Sequence, residues 1–280
     1  MLVLLPPSEG KADPPRRGAA VDLAALSFPE LTPTRQRLLD ALTTLCRDEP
    51  DRAAGVLELG PTLRHLVGVD AAAATSPTMP ARRLYTGVLY AALGLLDLPP
   101  AAAARASRDL VIASGLWGLV RPGDRLPAYR LPGALSLPGV GPLPRAWRPP
   151  LTAVGPALVG RGPVLDLRSG TYTATWSPTG ELADVTVTVR VLSERVPSRG
   201  GSDRSVVAEA NKAVKGRLTR ALLLDHARLP ASADRLVDTV TRLGENPPPG
   251  RGGWRTEDAG RTAGRPWRLD LVTSDFIAGT

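Results

Sequence analysis

The chain has 280 residues, 43% of them hydrophobic, and 35 basic against 27 acidic side chains leave it a net charge of +8. That length suits one large or two modest globular domains, and the charge favours a polyanionic or phosphorylated partner. One cysteine, Cys46, and two distant histidines, His65 and His226, exclude an internal disulfide and speak against a metal centre; the expectation is a reducing, cytoplasmic setting, with no cofactor signature.

Met1–Leu5 is apolar, lacks a basic leader and ends at Pro6-Pro7, so it reads as a strand and not a signal peptide. The loop after it carries Ser8, Glu9, Gly10 and Lys11. Gly10-Lys11 lacks the upstream glycine of a nucleotide-hydrolysing P-loop and runs into Ala12. Leu38, Leu39, Leu42 and Leu45 recur at helical spacing between Thr34 and Arg47. Asp51–Leu59 and Thr62–Val67 read as short helices around Gly60-Pro61, the outline of a helix-hairpin-helix whose turn amides would meet a phosphate.

Arg82–Leu96 reads as one helix carrying Tyr85-Thr86-Gly87, and Asp109–Ala113 as a buried strand. That strand empties into the turn-rich segment Ser114–Asp124, where function gathers. Asp97, Ser114, glycines and prolines interrupt the longest apolar stretches, so no membrane span or membrane partner is expected. Leu126–Pro150 reads as irregular chain wrapped on the core, and Val164–Arg168 as a second buried strand ending at Ser169-Gly170. Tyr172–Trp176 and Asp184–Leu192 read as a hairpin, with Val185, Val187, Val189 and Val191 on one face.

Ser205–Ala227 reads as the longest helix. Val207, Ala210, Val214, Leu218 and Ala221 form its buried face; Ser205, Glu209, Lys212, Lys215, Gly216 and Thr219 form its wet face. A short helix follows over Asp234–Leu243. Residues 246–264 read as a mobile excursion before the last strand, Trp267–Val272. No internal repeat is present.

Only Lys11, Lys212 and Lys215 are lysines, against 32 arginines. In so arginine-rich a chain, lysine at three sites in two motifs points to a need for a compact ammonium there. Ser8, Lys11, Arg121, Arg130, Ser169, Lys212, Lys215 and Arg220 are the candidates to line one anionic cleft, since phosphates are met by such cations, hydroxyls and amides. Glu9 and Glu209 are read first as partners of the lysines and, alternatively, as acid/base carboxylates. Trp117 is read as a core anchor ahead of a stacking platform, and Arg121 with Asp124, as the alternative to a site role, as an ion pair bracing the turn.

These segments together resemble the YaaA peroxide-stress family. The resemblance rests on the opening strand and lysine-bearing turn of Met1–Lys11, on Tyr85-Thr86-Gly87, and on Ser114–Asp124 followed by Tyr129-Arg130. It extends to Leu167, Ser169 and Tyr172, and to Lys212, Lys215, Gly216 and Arg220, where Lys215 replaces the family's middle arginine. Gly170 and Thr171 stand where the more familiar branch has an acidic residue, and the Ser-Glu-Gly-Lys turn differs, as in a divergent actinobacterial-type member. The resemblance implies a mixed α/β single domain with a fold of its own. It also implies DNA binding through a basic cleft and a helix-hairpin-helix, a role in limiting iron-driven oxidative damage, and places for Ser114 and Tyr129 in the site.

Two functions compete. One is a DNA-binding protein of the peroxide-stress response, contacting double-stranded DNA mainly through phosphates. The other is an enzyme acting on a nucleotide or nucleobase, with Glu9 or Glu209 as acid/base and the lysines, Lys11 and Lys212 foremost, holding phosphate. The deciding feature is whether Lys11, Lys212 and Arg121 meet in one cleft, and whether its size suits a duplex or a nucleotide.

Overall fold

The computed structural model describes residues 1–160, 162–195, 203–205, 208–225, 230–247 and 252–273. Five parallel strands form the middle of one mixed sheet, in the order Trp267–Thr273, Thr186–Arg195, Val164–Asp166, Leu2–Leu5 and Leu110–Ser114. Antiparallel strands close both edges: Arg255–Gly260 beside Trp267–Thr273, and Gly118–Val120 beside Leu110–Ser114. Asp203–Ser205 adds to the side of Thr186–Arg195. Leu2–Leu5 and Leu110–Ser114 are buried at every position, as continuous apolar runs are when helices cover both faces of a parallel sheet.

The chain leaves Leu2–Leu5 for the neighbouring strand on one side, then returns to add Val164–Asp166 and the later strands on the other. The gap between Leu2–Leu5 and Val164–Asp166 is therefore the point where strand order reverses. Loops diverge beyond the carboxyl ends of the strands at such a point and leave a crevice there.

The helix Thr32–Asp48 buries Leu38, Leu39, Leu42 and Leu45, as their spacing requires. Arg35 is also wholly buried in it. Its guanidinium donates to the carbonyls of Ser27, Phe28, Trp117 and Leu119, tying this helix to the turn after Leu110–Ser114. The architecture is a mixed α/β single domain around one hydrophobic core.

Several elements differ from the sequence reading. Arg82–Leu96 is broken into Ala81–Leu84 and Val88–Leu93, because Gly87 takes φ +94° and Thr86 N–H donates to the opening loop. Leu143–Val159 is a 17-residue helix despite Pro149, Pro150 and Pro156. Burial of Leu143, Trp147, Leu151 and Val154 on one face outweighs the missing amides, which a local reading takes as breaks. The expected hairpin is absent: Gly170–Thr173 and Glu181–Asp184 are single helical turns, and Thr186–Arg195 pairs in parallel inside the sheet. Within 246–264, Arg255–Gly260 is an edge strand and Trp254 is buried, not a loose excursion.

Candidate functional site

At the reversal point, the loops after neighbouring strands enclose a cavity of about 520 Å³. Pro6–Lys11 supplies one wall, Tyr129–Ala134 a second, and Leu167, Ser169, Thr171 and Tyr172 a third. Thr86–Tyr90 and the helix Ala208–Leu224, through Asn211, Lys212 and Lys215, complete it. All three lysines of the chain thus line one cavity. Three of its four tyrosines, Tyr90, Tyr129 and Tyr172, line it too, and the fourth, Tyr85, shares a hydrogen bond with Tyr129.

The opening loop is pinned by short contacts. Thr86 N–H donates both to Ser8 Oγ at 3.1 Å and to the Gly10 carbonyl at 3.3 Å, and the Tyr90 hydroxyl donates to the Pro6 carbonyl at 2.7 Å. The hydroxyl of Ser8 is therefore engaged in bracing the loop, donating in turn to Gly10 O. Lys11 Nζ donates to the Ser8 carbonyl at 3.1 Å and lies 4.3 Å from the centre of the Tyr129 ring, a cation–π arrangement. Burial pushes its pKa down to about 8; Asp70 opposes that shift, Arg130 adds to it and Glu9 opposes it.

Ser114 lies behind Tyr129 and does not line the cavity. Its Oγ accepts from Leu116 N–H at 3.2 Å and Trp117 N–H at 2.9 Å. Both lone pairs are then occupied, so its proton points at Tyr129 Oη, 2.7 Å away, and Tyr129 donates onward to Tyr85 Oη at 2.9 Å. Burial raises the pKa of Tyr129 and Tyr85 far above the ordinary tyrosine value, so both stay protonated as neutral donors. The turn that presents Ser114 depends on Gly118, at φ +71° with Trp147 packed against it: a Cβ there would sit 2.5 Å from the indole ring.

Lys215 is 8% exposed, not on a wet face as the helical phase suggested. Its Nζ donates to the Leu167 carbonyl at 3.1 Å, and burial lowers its pKa to about 8 against the opposing pull of Asp166. Gly216 and Thr219 are buried as well. The reason is that this helix is packed on two sides, against the sheet and against Val88–Leu93, so a single-face periodicity fails. Val214 is fully buried and Lys212 exposed at the cavity, as expected; Val207 lies outside the described residues.

Other candidates fall elsewhere. The Arg121 guanidinium sits over the Phe28 ring and donates to Arg108 O, and Arg220 donates to the carbonyls of Leu93 and Gly94. Neither lines the cavity, since both satisfy backbone carbonyls of the fold. Asp124 braces the turn, but through Arg121 N–H and Ser27 and not through the Arg121 side chain. Trp117 is wholly buried, edge-on to Tyr129. Glu9, Arg130 and Ser169 line the cavity, whereas the Glu209 side chain lies outside the described residues.

The segment read as a helix-hairpin-helix forms Pro50–Val56, the single turn Pro61–Leu63, and Leu66–Ala71. The amides of Leu57, Glu58, Leu59 and Leu63 are all used within it. Its last helix instead delivers a residue missed from sequence, Asp70, which is wholly buried. Asp70 Oδ1 accepts from Arg130 N–H at 2.7 Å, while Oδ2 has no hydrogen-bond partner among the described residues. Burial raises its pKa to about 7, opposed by the Arg130 amide, Lys11 and the Arg130 charge. The available signal was a lone carboxylate in an otherwise apolar run, Leu66–Ala73. Cys46, buried near the same carboxylate, has its thiol pushed up to about 12, which suits packing and not redox chemistry.

A model of the family described as "Peroxide stress protein YaaA" matches residues 1–239. A UPF0246 protein of Streptomyces coelicolor is 44% identical over 98% of this chain and 99% of its own length. UPF0246 proteins of Corynebacterium efficiens and Corynebacterium glutamicum are 43% and 42% identical, each over about four-fifths of this chain and 84% and 85% of their own lengths.

Proposed function

Because the chain belongs to the peroxide stress protein YaaA family, we propose that it serves that response by holding a small anionic ligand, of the nucleotide or nucleobase class, in the three-lysine cavity. The observation that carries this reading is the meeting of every lysine in the chain at one cavity of about 520 Å³. That volume is within the range of small-molecule sites and far below a duplex groove. Lys212 at the mouth draws the anion in. Lys11 and Lys215 hold it inside, where few solvent dipoles screen them. The apolar stretch from Leu131 to Ala134, with Tyr172, offers a flat wall for a ring.

In the enzymatic version of this reading Glu9 is the acid/base carboxylate, since it lines the same cavity. Isothermal titration with adenosine monophosphate, adenosine and inorganic phosphate tests the proposal. The monophosphate is expected to bind more tightly than either fragment, and Lys11→Met to weaken it about tenfold or more, as loss of a charged hydrogen bond does. Absence of binding by all three at millimolar concentration overturns the reading.

A second reading, duplex binding, is favoured by the net charge of +8 and by the fact that Arg130 is the one arginine of the described cavity wall. The remaining positive charge is therefore distributed over other parts of the molecule. Contacts of that kind would be to phosphates, with little sequence preference.

A further inference from the structure

Lys215 stands apart from the other cations of the cavity. It reaches in from the helix Ala208–Leu224, is 8% exposed, and has its amine held by one hydrogen bond, to the Leu167 carbonyl at 3.1 Å. No carboxylate forms an ion pair with it among the described residues. The acidic group that acts on it, Asp166 at the end of the strand Val164–Asp166, is already committed: its two oxygens take the Arg168 guanidinium at 2.9 and 2.7 Å, in a buried bidentate pair. Lys11, by contrast, lies over the Tyr129 ring at 4.3 Å, which favours its ammonium form, and Lys212 is exposed at the mouth.

We propose that Lys215 is an amine nucleophile that forms a Schiff base with the carbonyl carbon of a small anionic aldehyde held in the cavity. This shares with the function proposed above only its small anionic ligand, and it needs no nucleobase. A buried amine without a counter-charge, opening on a cavity, is placed as such nucleophiles are, because burial disfavours the ammonium and frees the lone pair. Burial accordingly brings the Lys215 pKa down to about 8, with Asp166 opposing. A guanidinium keeps its proton throughout and could not serve, which gives lysine a chemical reason to stand here in a chain of 32 arginines. In the step itself the Lys215 nitrogen bonds to the carbonyl carbon while the C=O π pair moves to oxygen. The nitrogen then gives up its two protons, which leave with that oxygen as water, so C=N replaces C=O with no oxidant or reductant. The Leu167 carbonyl fixes the position of the amine, and Lys11, Lys212 and Arg130 on the same walls supply the positive charge for the anionic end.

The scarcity of lysine makes the test direct, since an aldehyde can meet only three side-chain amines and the amino terminus. The probe is pyridoxal 5′-phosphate, an anionic aldehyde on a flat ring, with pyridoxal as its phosphate-free counterpart. The unmodified protein is incubated with each at pH 7, the imine is trapped with sodium borohydride, and the modified residue is located by peptide mass spectrometry. Trapping by the phosphorylated probe is expected at Lys215, faster than at exposed Lys212 or at Met1 by about tenfold or more. Pyridoxal should react at Lys215 about tenfold more slowly than its phosphate ester, as loss of charged contacts requires. Modification confined to Lys212, Lys11 or Met1 overturns the proposal, and equal rates for the two probes overturn the anionic aldehyde as its ligand. Trapping at Lys215 in a protein that fails to bind adenosine monophosphate would remove the nucleotide reading and leave this one standing. Adenosine monophosphate binding with Lys215 untouched by either aldehyde would do the reverse.

Discussion

Lys215 and Lys11 set the ionisation behaviour of the folded chain at moderately high pH. Each has a folded pKa of about 8, where a free lysine keeps its proton to about 10.5. Between those values the unfolded chain holds protons that the folded chain has released, so stability rises with pH across that window: the cost of burying the two ammonium groups is fully present below about 8 and is relieved as pH approaches 10.5. The buried tyrosines work in the opposite direction above about pH 10, because their folded pKa values are raised. Urea midpoints between pH 7.5 and 9.5 are therefore expected to climb. Lys215→Met should flatten the slope by on the order of 1 kcal/mol per pH unit near its upper end. A variant with the parent's slope would mean that Lys215 keeps its proton in the folded state.

At the scale of elements, one residue determines how near the lysine helix comes to the cavity. Gly216 faces Val88–Leu93 so closely that a Cβ would lie 2.2 Å from the Leu89 carbonyl and 2.9 Å from Ala92 Cβ. Alanine is the better helix former by about 1 kcal/mol, but a backbone clash in a packed interface costs roughly 1–3 kcal/mol. Gly216→Ala is expected to lower stability by about 1–2 kcal/mol in chemical denaturation, the clash outweighing the propensity. Because Val88, Leu89, Lys212 and Lys215 all line the cavity, the helix shift should weaken adenosine monophosphate binding as well. A more stable variant with unchanged binding would show that the two helices separate without strain.

Across the whole molecule, the charge and the cavity separate the two functional readings. Duplex affinity, if carried by dispersed arginines, falls steeply as salt rises from 50 to 200 mM and survives Lys11→Met within about twofold. Nucleotide binding in the cavity, as proposed above, is expected to be lost in the same variant and to depend less on salt, since buried charges are poorly screened. Running both titrations on both proteins decides between them. Loss of duplex and nucleotide binding together would place the two in one site.

Much of this was determined by the amino-acid sequence itself. Apolar runs bounded by turn residues marked Leu2–Leu5, Leu110–Ser114 and Val164–Asp166, because fully buried parallel strands need no alternation. The scarcity of lysine singled out three residues that line one cavity, and short motifs identified the family, since those residues are local and need no partner to be read. What only the tertiary structure decided is which of the marked residues meet. Arg121 and Arg220 were indistinguishable by type from Arg130, yet they are consumed by backbone carbonyls of distant segments. Asp70 takes the amide of Arg130, 60 residues further along the chain, and so reaches the back of a cavity-wall segment, a contact that no local pattern encodes. The wet or buried state of Lys215 likewise depended on a second packing face supplied by Val88–Leu93. Helical phase tells which residues share a side; burial is settled by what the rest of the chain brings against it.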